Sequence, residues 1–270
     1  MMDDANVDPS TLVDLTRYPI LDPHGAAMHA VLQWTRAELA ARGACEVPCF
    51  LSPAGLEAIR TDARRLAPRA YRSEGYGTAY LEVPDFELSP DHPRRYLERA
   101  AVGVVAYDMF PAESPMRRLY EWEPFMRFIE AVLQRGPLFR YADPLGALNL
   151  AVMTEGDQLQ WHFDQTDFVV SLAVQDAEEG GDFEVAPRIR SAQDERYDAV
   201  GRVLHGARED VVRLPMTPGT LLIFEGRHSI HRVSQIQGPT PRLVGLLAFD
   251  TKPGTRSTEL LQLARYGRTA

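Results

Sequence analysis

The 270-residue sequence is poor in cysteine, with only Cys45 and Cys49, and it has no apolar stretch near the ~20 residues a membrane-spanning helix needs. The two cysteines do not form a CxxC, so reduced thiols are the default expectation and no metal or redox role is assigned to them. The first residues, Met-Met-Asp-Asp-Ala-Asn, lack the basic and apolar regions of a signal peptide, so a cytoplasmic location is expected. Positive charge is also short. The formal net charge is −9, whereas a phosphate-binding surface carries a basic balance or stripe, so neither nucleic acid nor a membrane is expected as a partner. The local cluster Arg60, Arg64, Arg65, Arg69 and Arg72 reads as a solvated helix face. There is no internal repeat and no low-complexity segment. With 45% hydrophobic and 25% charged residues, the chain has the composition of an ordinary globular protein, long enough to bury one large core.

Against that background one constellation stands out. His162-Phe163-Asp164 is followed 69 residues later by His231 and a further 11 residues on by Arg242. Two imidazoles and a carboxylate are the ligand set of a non-haem Fe(II) facial triad, which leaves the opposite face of the metal open. The planar guanidinium of Arg242 is suited to grip a carboxylate by two parallel hydrogen bonds, and 2-oxoglutarate offers one at its far end. Spacing supports the set: His162 and Asp164, two apart on an extended segment, project to one face while Trp161 and Phe163 point the other way. A lone HxD is weak, since seven His and 38 acidic residues give roughly one chance match in a chain of this composition. The ordered conjunction with His231 and Arg242, each on a strand-like run, carries the weight. The bland alternative makes both histidines hydrogen-bonded core residues and Arg242 a surface charge. His228, three before His231, falls on the other face of an extended strand and is read as a turn histidine or a substrate-side group.

The flanking pattern predicts a mainly β fold with a helical N-terminal part: a double-stranded β-helix, or jelly roll of the cupin kind, flanked by helices. One domain is expected over 1–270, with an irregular arm at 1–23, a helical buttress and first strands at 24–140, the jelly-roll core at 141–253, and a C-terminal helix or tail at 254–270. Met28 to Ala41 predicts an amphipathic helix ending at Gly43, and Glu46 to Leu51 a short strand placed at an edge by Pro48. Ser52-Pro53 caps a second helix. Ser114-Pro115 opens a longer one running to Leu133, whose apolar and aromatic face is expected to buttress the sheet. The connector from Pro187 to Arg208 carries a helix-like segment from Asp194 to Leu204, expected over the mouth of the site.

The stretches Leu159 to Val174, Glu179 to Arg190 and Ser229 to Ser234 resemble the Fe(II)/2-oxoglutarate oxygenases, and more narrowly the bacterial group of free amino-acid halogenases and their hydroxylase relatives. The resemblance covers about residues 148 to 253. It implies Fe(II), 2-oxoglutarate and O2, with the metal on His162, Asp164 and His231 and the co-substrate carboxylate on Arg242. Many members of the wider superfamily carry Ser two residues after that Arg; here the place is Val244, so a second hydrogen bond must come from elsewhere. Halogenases of this group have a small residue where this chain keeps Asp164, so the resemblance implies a hydroxylase. A small amino-acid-like substrate is then expected, with Arg72 for its carboxylate, Glu74 or Asp167 for its amine, and Gln165 and His228 nearby. Asn149, on the strand before the iron motif, is placed to bond the co-substrate or substrate. A peptide or protein hydroxylase and a non-catalytic metal-binding jelly roll are the alternatives, and the sequence leaves a homodimer open.

Overall fold

The computed structural model describes residues 7 to 270. Its helices are α1 (Ala26–Arg42), α2 (Pro53–Leu66), α3 (Pro115–Glu121), α4 (Glu123–Leu133), α5 (Tyr197–Leu204) and α6 (Glu259–Tyr266). The strands are β1 (Ala44–Val47), β2 (Tyr71–Gly77), β3 (Glu98–Val105), β4 (Phe139–Arg140), β5 (Leu148–Met153), β6 (Leu159–His162) and β7 (Val169–Gln175). They continue as β8 (Phe183–Ala186), β9 (Val212–Leu214), β10 (Leu221–Phe224), β11 (Ile230–Val233), β12 (Arg242–Leu247) and β13 (Phe249–Asp250). A seven-stranded antiparallel sheet in the order β1-β10-β7-β12-β5-β3-β2 faces a four-stranded sheet in the order β6-β11-β8-β9, the double-stranded β-helix that the sequence predicts. Among the described residues no helix is long and apolar enough to cross a membrane.

Local chemistry sets the helix ends. Gly43 closes α1 in the left-handed conformation (φ 67°) with its N–H on the Leu39 carbonyl, and the Ser52 hydroxyl accepts from Gly55 N at the start of α2. The single long helix expected from Pro115 to Leu133 is two. Pro124 has no N–H to give the Tyr120 carbonyl, so the chain breaks at Trp122 (ψ 121°), and Arg140 Nε donates to that carbonyl instead at 2.8 Å. Both pieces buttress the large sheet as expected. Met116, Leu119, Phe125, Ile129 and Val132 pack with Leu148, Leu150, Val152, Val170, Leu172, Ile223 and Leu243, every second residue of the sheet.

The N-terminal arm is more tightly held than its composition suggests. Residues 1 to 6 of the expected segment lie outside the described residues; after them Pro9–Leu12 forms a 3-10 turn, and Leu12, Val13, Tyr18 and Ile20 are buried in the main core. The α5 segment also departs from expectation. Ala199, Val200, Val203 and Leu204 pack on Trp161, Phe163, Ala186 and Ile230, so α5 covers the outer face of the small sheet rather than the mouth of the site.

Candidate metal and co-substrate site

The alternation of β6 delivers the ligands. Trp161 and Phe163 are buried against α5, which leaves Gln160, His162 and Asp164 facing the space between the sheets. In the ladder of β6 with β11, His162 stands directly opposite His231, with ring centroids 4.2 Å apart. β6 ends at His162, and Asp164 is fixed beyond it by a backbone bond from its N–H to the Gly226 carbonyl (3.1 Å). Candidate ligand atoms of His162, Asp164 and His231 all lie within 4.8 Å of one another, and His231 Nε2 is 3.6 Å from Asp164 Oδ2.

Each imidazole is oriented from behind. Nδ1 of His162 lies 2.8 Å from the Gln160 carbonyl, and Nδ1 of His231 lies 3.0 Å from the Ser229 carbonyl. A carbonyl only accepts, so each ring carries its proton on Nδ1 and turns the Nε2 lone pair toward the cluster. Burial, then the neighbouring His231, push the His162 pKa down to about 4, outweighing the attraction of Asp164, so His162 is neutral at pH 7. Asp164 Oδ2 is buried without a hydrogen-bond partner among the described residues. An orphaned carboxylate oxygen facing two imidazole lone pairs fits a divalent cation, and two His with one carboxylate fit Fe(II).

Arg242 occupies the first position of β12. It is 8% exposed, makes no hydrogen bond or ion pair among the described residues, and lines a cavity of about 180 Å³ with Phe183, Gly181, Asp176 and Asp182. Burial lowers its pKa to about 10, against the opposing pull of Asp176 and Asp182, so it remains a cation at neutral pH. A buried, unpaired guanidinium in a small polar cavity fits a ligand carboxylate. Phe183 links the two halves of the site, since its ring lies 5.4 Å from that of His231 while lining the Arg242 cavity.

The other expected residues are differently placed. Arg72 lies opposite Gly103 and through it Val152, on the helix-covered face of the large sheet, and it pairs with buried Asp157. Glu74 shares that face and pairs with Arg99 at 2.8 Å. Asp167 pairs with Arg227 and Arg135, and Gln165 Nε2 donates to the Tyr80 carbonyl at 3.3 Å. His228 Nδ1 is buried without a hydrogen-bond partner among the described residues, and burial lowers its pKa. Asn149 faces the inter-sheet space, but its amide donates to the Leu145 and Leu148 carbonyls and accepts from Tyr266 Oη, so it ties α6 to β5.

Three polar residues were not singled out from sequence. Gln160 is 8% exposed and Ser171 7%, and neither side chain has a hydrogen bond among the described residues. Ser171 pairs with Leu246 and Leu222 on the inter-sheet side, and Gln160 lies on the same strand face as His162. For Gln160 the i−2 spacing from a metal ligand was an available signal. Arg265, exposed on α6, lies near enough to His162 to oppose its protonation and pairs with no carboxylate among the described residues; nothing in its local sequence marks it.

A His-Asp-His triad and a buried Arg on a double-stranded β-helix define an Fe(II)/2-oxoglutarate-dependent oxygenase. The chain belongs to the Halogenase D family, whose model matches residues 28–259. Its fold is similar to that of an oxidoreductase of the 2OG-Fe(II) oxygenase family from Burkholderia pseudomallei (TM-score 0.55, 14% identity, 83% of this chain and 92% of that one). It is also similar to the epimerase SnoN in complex with Fe3+, alpha ketoglutarate and nogalamycin RO (TM-score 0.56, 15% identity, 82% and 84% covered). EctD from S. alaskensis with 2-oxoglutarate and 5-hydroxyectoine is a third structural relative (TM-score 0.53, 16% identity, 80% and 75% covered). No curated protein matches the sequence.

Proposed function

We propose that this oxygenase hydroxylates an unactivated C–H of a small substrate, a free amino acid or a derivative, rather than halogenating it. The observation that carries this reading is Asp164. Its carboxylate stands at the third ligand place, 3.6 Å from His231 Nε2, where a halogenase of this group would have a small residue. Fe(II) with 2-oxoglutarate and O2 would supply the oxidant, with succinate and CO2 as co-products and one oxygen atom delivered to the substrate carbon.

The chain's own residues perform the remaining work. His162, Asp164 and His231 would hold the metal on one face, each imidazole already oriented by a backbone carbonyl. Arg242 would pair with the distal carboxylate of 2-oxoglutarate, with Phe183 between it and His231. Because Val244 offers no hydroxyl at the position two residues on, Ser171 is our candidate for an additional polar contact. On the substrate side we place Gln160, Gln165, His228 and Arg265. Arg265 forms no ion pair among the described residues and is suited to a substrate carboxylate. Arg72, Glu74 and Asp167 are already paired with Asp157, Arg99 and Arg227 respectively, and the first two lie on the helix-covered face of the large sheet.

The test is succinate formation by anaerobically purified, Fe(II)-loaded protein given 2-oxoglutarate and O2, against a panel of free amino acids and their derivatives, with product mass recorded in the presence of chloride. Stimulation by one panel member with a gain of one oxygen is the expected result. A chlorinated product would overturn the hydroxylase reading. Stimulation by peptides alone would move the substrate to a polypeptide.

A further inference from the structure

Gly226, the second residue after β10, has no side chain, and the space a side chain would need is already filled by the triad. A Cβ built on Gly226 would fall within bonding distance of Asp164 Oδ2, 2.5 Å from Asp164 Cγ and 2.9 Å from Phe224 Cε1. Asp164 Oδ2 lies 3.6 Å from His231 Nε2, and the Phe224 ring is stacked edge-on against the His231 imidazole with centroids 4.7 Å apart. The same glycine offers its carbonyl to Asp164 N at 3.1 Å. Gly226 therefore holds the Asp164 main chain with one group and leaves room for the Asp164 carboxylate with another. This is a close-approach glycine rather than a turn glycine, since it is absent from the positive-φ residues.

The surrounding backbone gives little freedom to relieve a clash. Glu225 N donates to the Gly43 carbonyl at 2.7 Å, and its carboxylate is held by Arg135 (3.0 Å) and Arg188 (3.1 Å). On the other side Arg227 is fastened to Asp167 and to the Gln165 carbonyl. Phe224 is 2% exposed and packed in the inter-sheet core. With backbone and ring both confined, the Asp164 carboxylate, which has no hydrogen bond among the described residues to hold it, is the group free to move.

We propose that Gly226 is the positioning residue for the third metal ligand: any side chain at 226 displaces the Asp164 carboxylate and leaves a two-histidine site, without altering a ligand. The proposal rests on the metal reading of the triad, and its test separates the two. Co(II) affinity is measured by calorimetry, with the visible cobalt spectrum recorded, for the wild type, Asp164→Gly, Gly226→Ala and the double variant, each also with added formate. Gly226→Ala is expected to lose about 10–100-fold in affinity, as for residues that orient metal ligands. The double variant is expected to be no weaker than Asp164→Gly, because the methyl group then has no carboxylate to displace. Formate is expected to restore affinity to Asp164→Gly by occupying the vacated place, and to fail in the double variant, where the methyl group fills it.

Wild-type affinity in Gly226→Ala would overturn the proposal, as would losses that add in the double variant or formate rescue of both Asp164 variants. Should the wild type itself take up no cobalt, the metal reading fails and the proposal with it. The melting temperature of metal-free Gly226→Ala, expected within a few degrees of wild type, shows whether lost affinity reflects lost fold.

Discussion

The two faces of the β6 segment present the same chain to opposite environments. On the outer face Trp161 and Phe163 are buried among apolar side chains of α5, and three arginines stack on their rings: Arg190 over Phe163 (3.8 Å), Arg208 (5.2 Å) and Arg232 (4.9 Å) over Trp161. Each of these cations is satisfied, Arg190 by Glu195, Arg232 by Glu184 and Arg208 by the Val203 and Ala207 carbonyls. On the inner face, among the described residues, Asp164 Oδ2 has no hydrogen-bond partner and the Arg242 side chain has neither hydrogen bond nor ion pair. The polar atoms without partners on the outer side, Trp161 Nε1 and Tyr80 Oη, are neutral. Leaving a neutral donor unsatisfied costs about 1–3 kcal/mol and leaving a buried charge unpaired costs more, so charges are left unpaired where a ligand will complete them. The contrast marks the inner face as the candidate site on physical grounds alone.

Four experiments break or sharpen this contrast. The largest effect is expected from Asp164→Ala, which removes the inner face's orphaned anion: substrate-stimulated succinate formation falls to background while the circular dichroism of the fold is kept. Wild-type turnover in this variant would remove Asp164 from the ligand set. Trp161→Ala, one residue from His162 but on the other face, is expected to lower stability by about 3–5 kcal/mol through the cavity left among α5 residues. Chemical denaturation measures it, and loss of metal binding without loss of stability would contradict the division between the faces.

Arg242→Leu comes next. Removing a buried bidentate partner is expected to raise the 2-oxoglutarate KM by about 100-fold, equivalent to ~2.7 kcal/mol, while cobalt affinity stays within a few-fold. An unchanged KM would sink the assignment. The smallest effect concerns pH. His162 has a pKa lowered to about 4 in the fold from an ordinary 6.5, so its unfolded form binds the proton more readily between those values. The associated stability is fully present above pH 6.5 and lost as pH falls toward 4. For metal-free protein in chelator this predicts a melting temperature that drops by a few degrees over that interval, and a smaller drop in His162→Gln. Equal slopes in the two proteins would show that other groups carry the acid sensitivity.

What could be read locally was read well. The caps at Ser52 and Gly43 depend on a side chain or a φ value within a few residues, and the alternation of Trp161, His162, Phe163 and Asp164 depends only on the two-residue period of extended backbone. The break between α3 and α4 was also local, since Pro124 marks it, but the continuous apolar periodicity of the helix faces obscured it. The placement of α5 and the face of β2 that carries Arg72 and Glu74 were not local. A helical pattern says which side is buried, not against which sheet, and a strand pattern with polar residues on both sides leaves the register to the partner strand.

The candidate ligand set is legible in the sequence: two imidazoles, one carboxylate and one guanidinium, in an order and spacing that suit iron and 2-oxoglutarate. Tertiary structure decided what each group lacks. It set His231 opposite His162, packed Gly226 against the Asp164 carboxylate, saturated Asn149 with Tyr266, and left the side chains of Arg242, Gln160 and Ser171 buried without hydrogen bonds among the described residues. The physical reason is that donors and acceptors belong to residue types, whereas whether each finds a partner depends on chain segments tens of residues away.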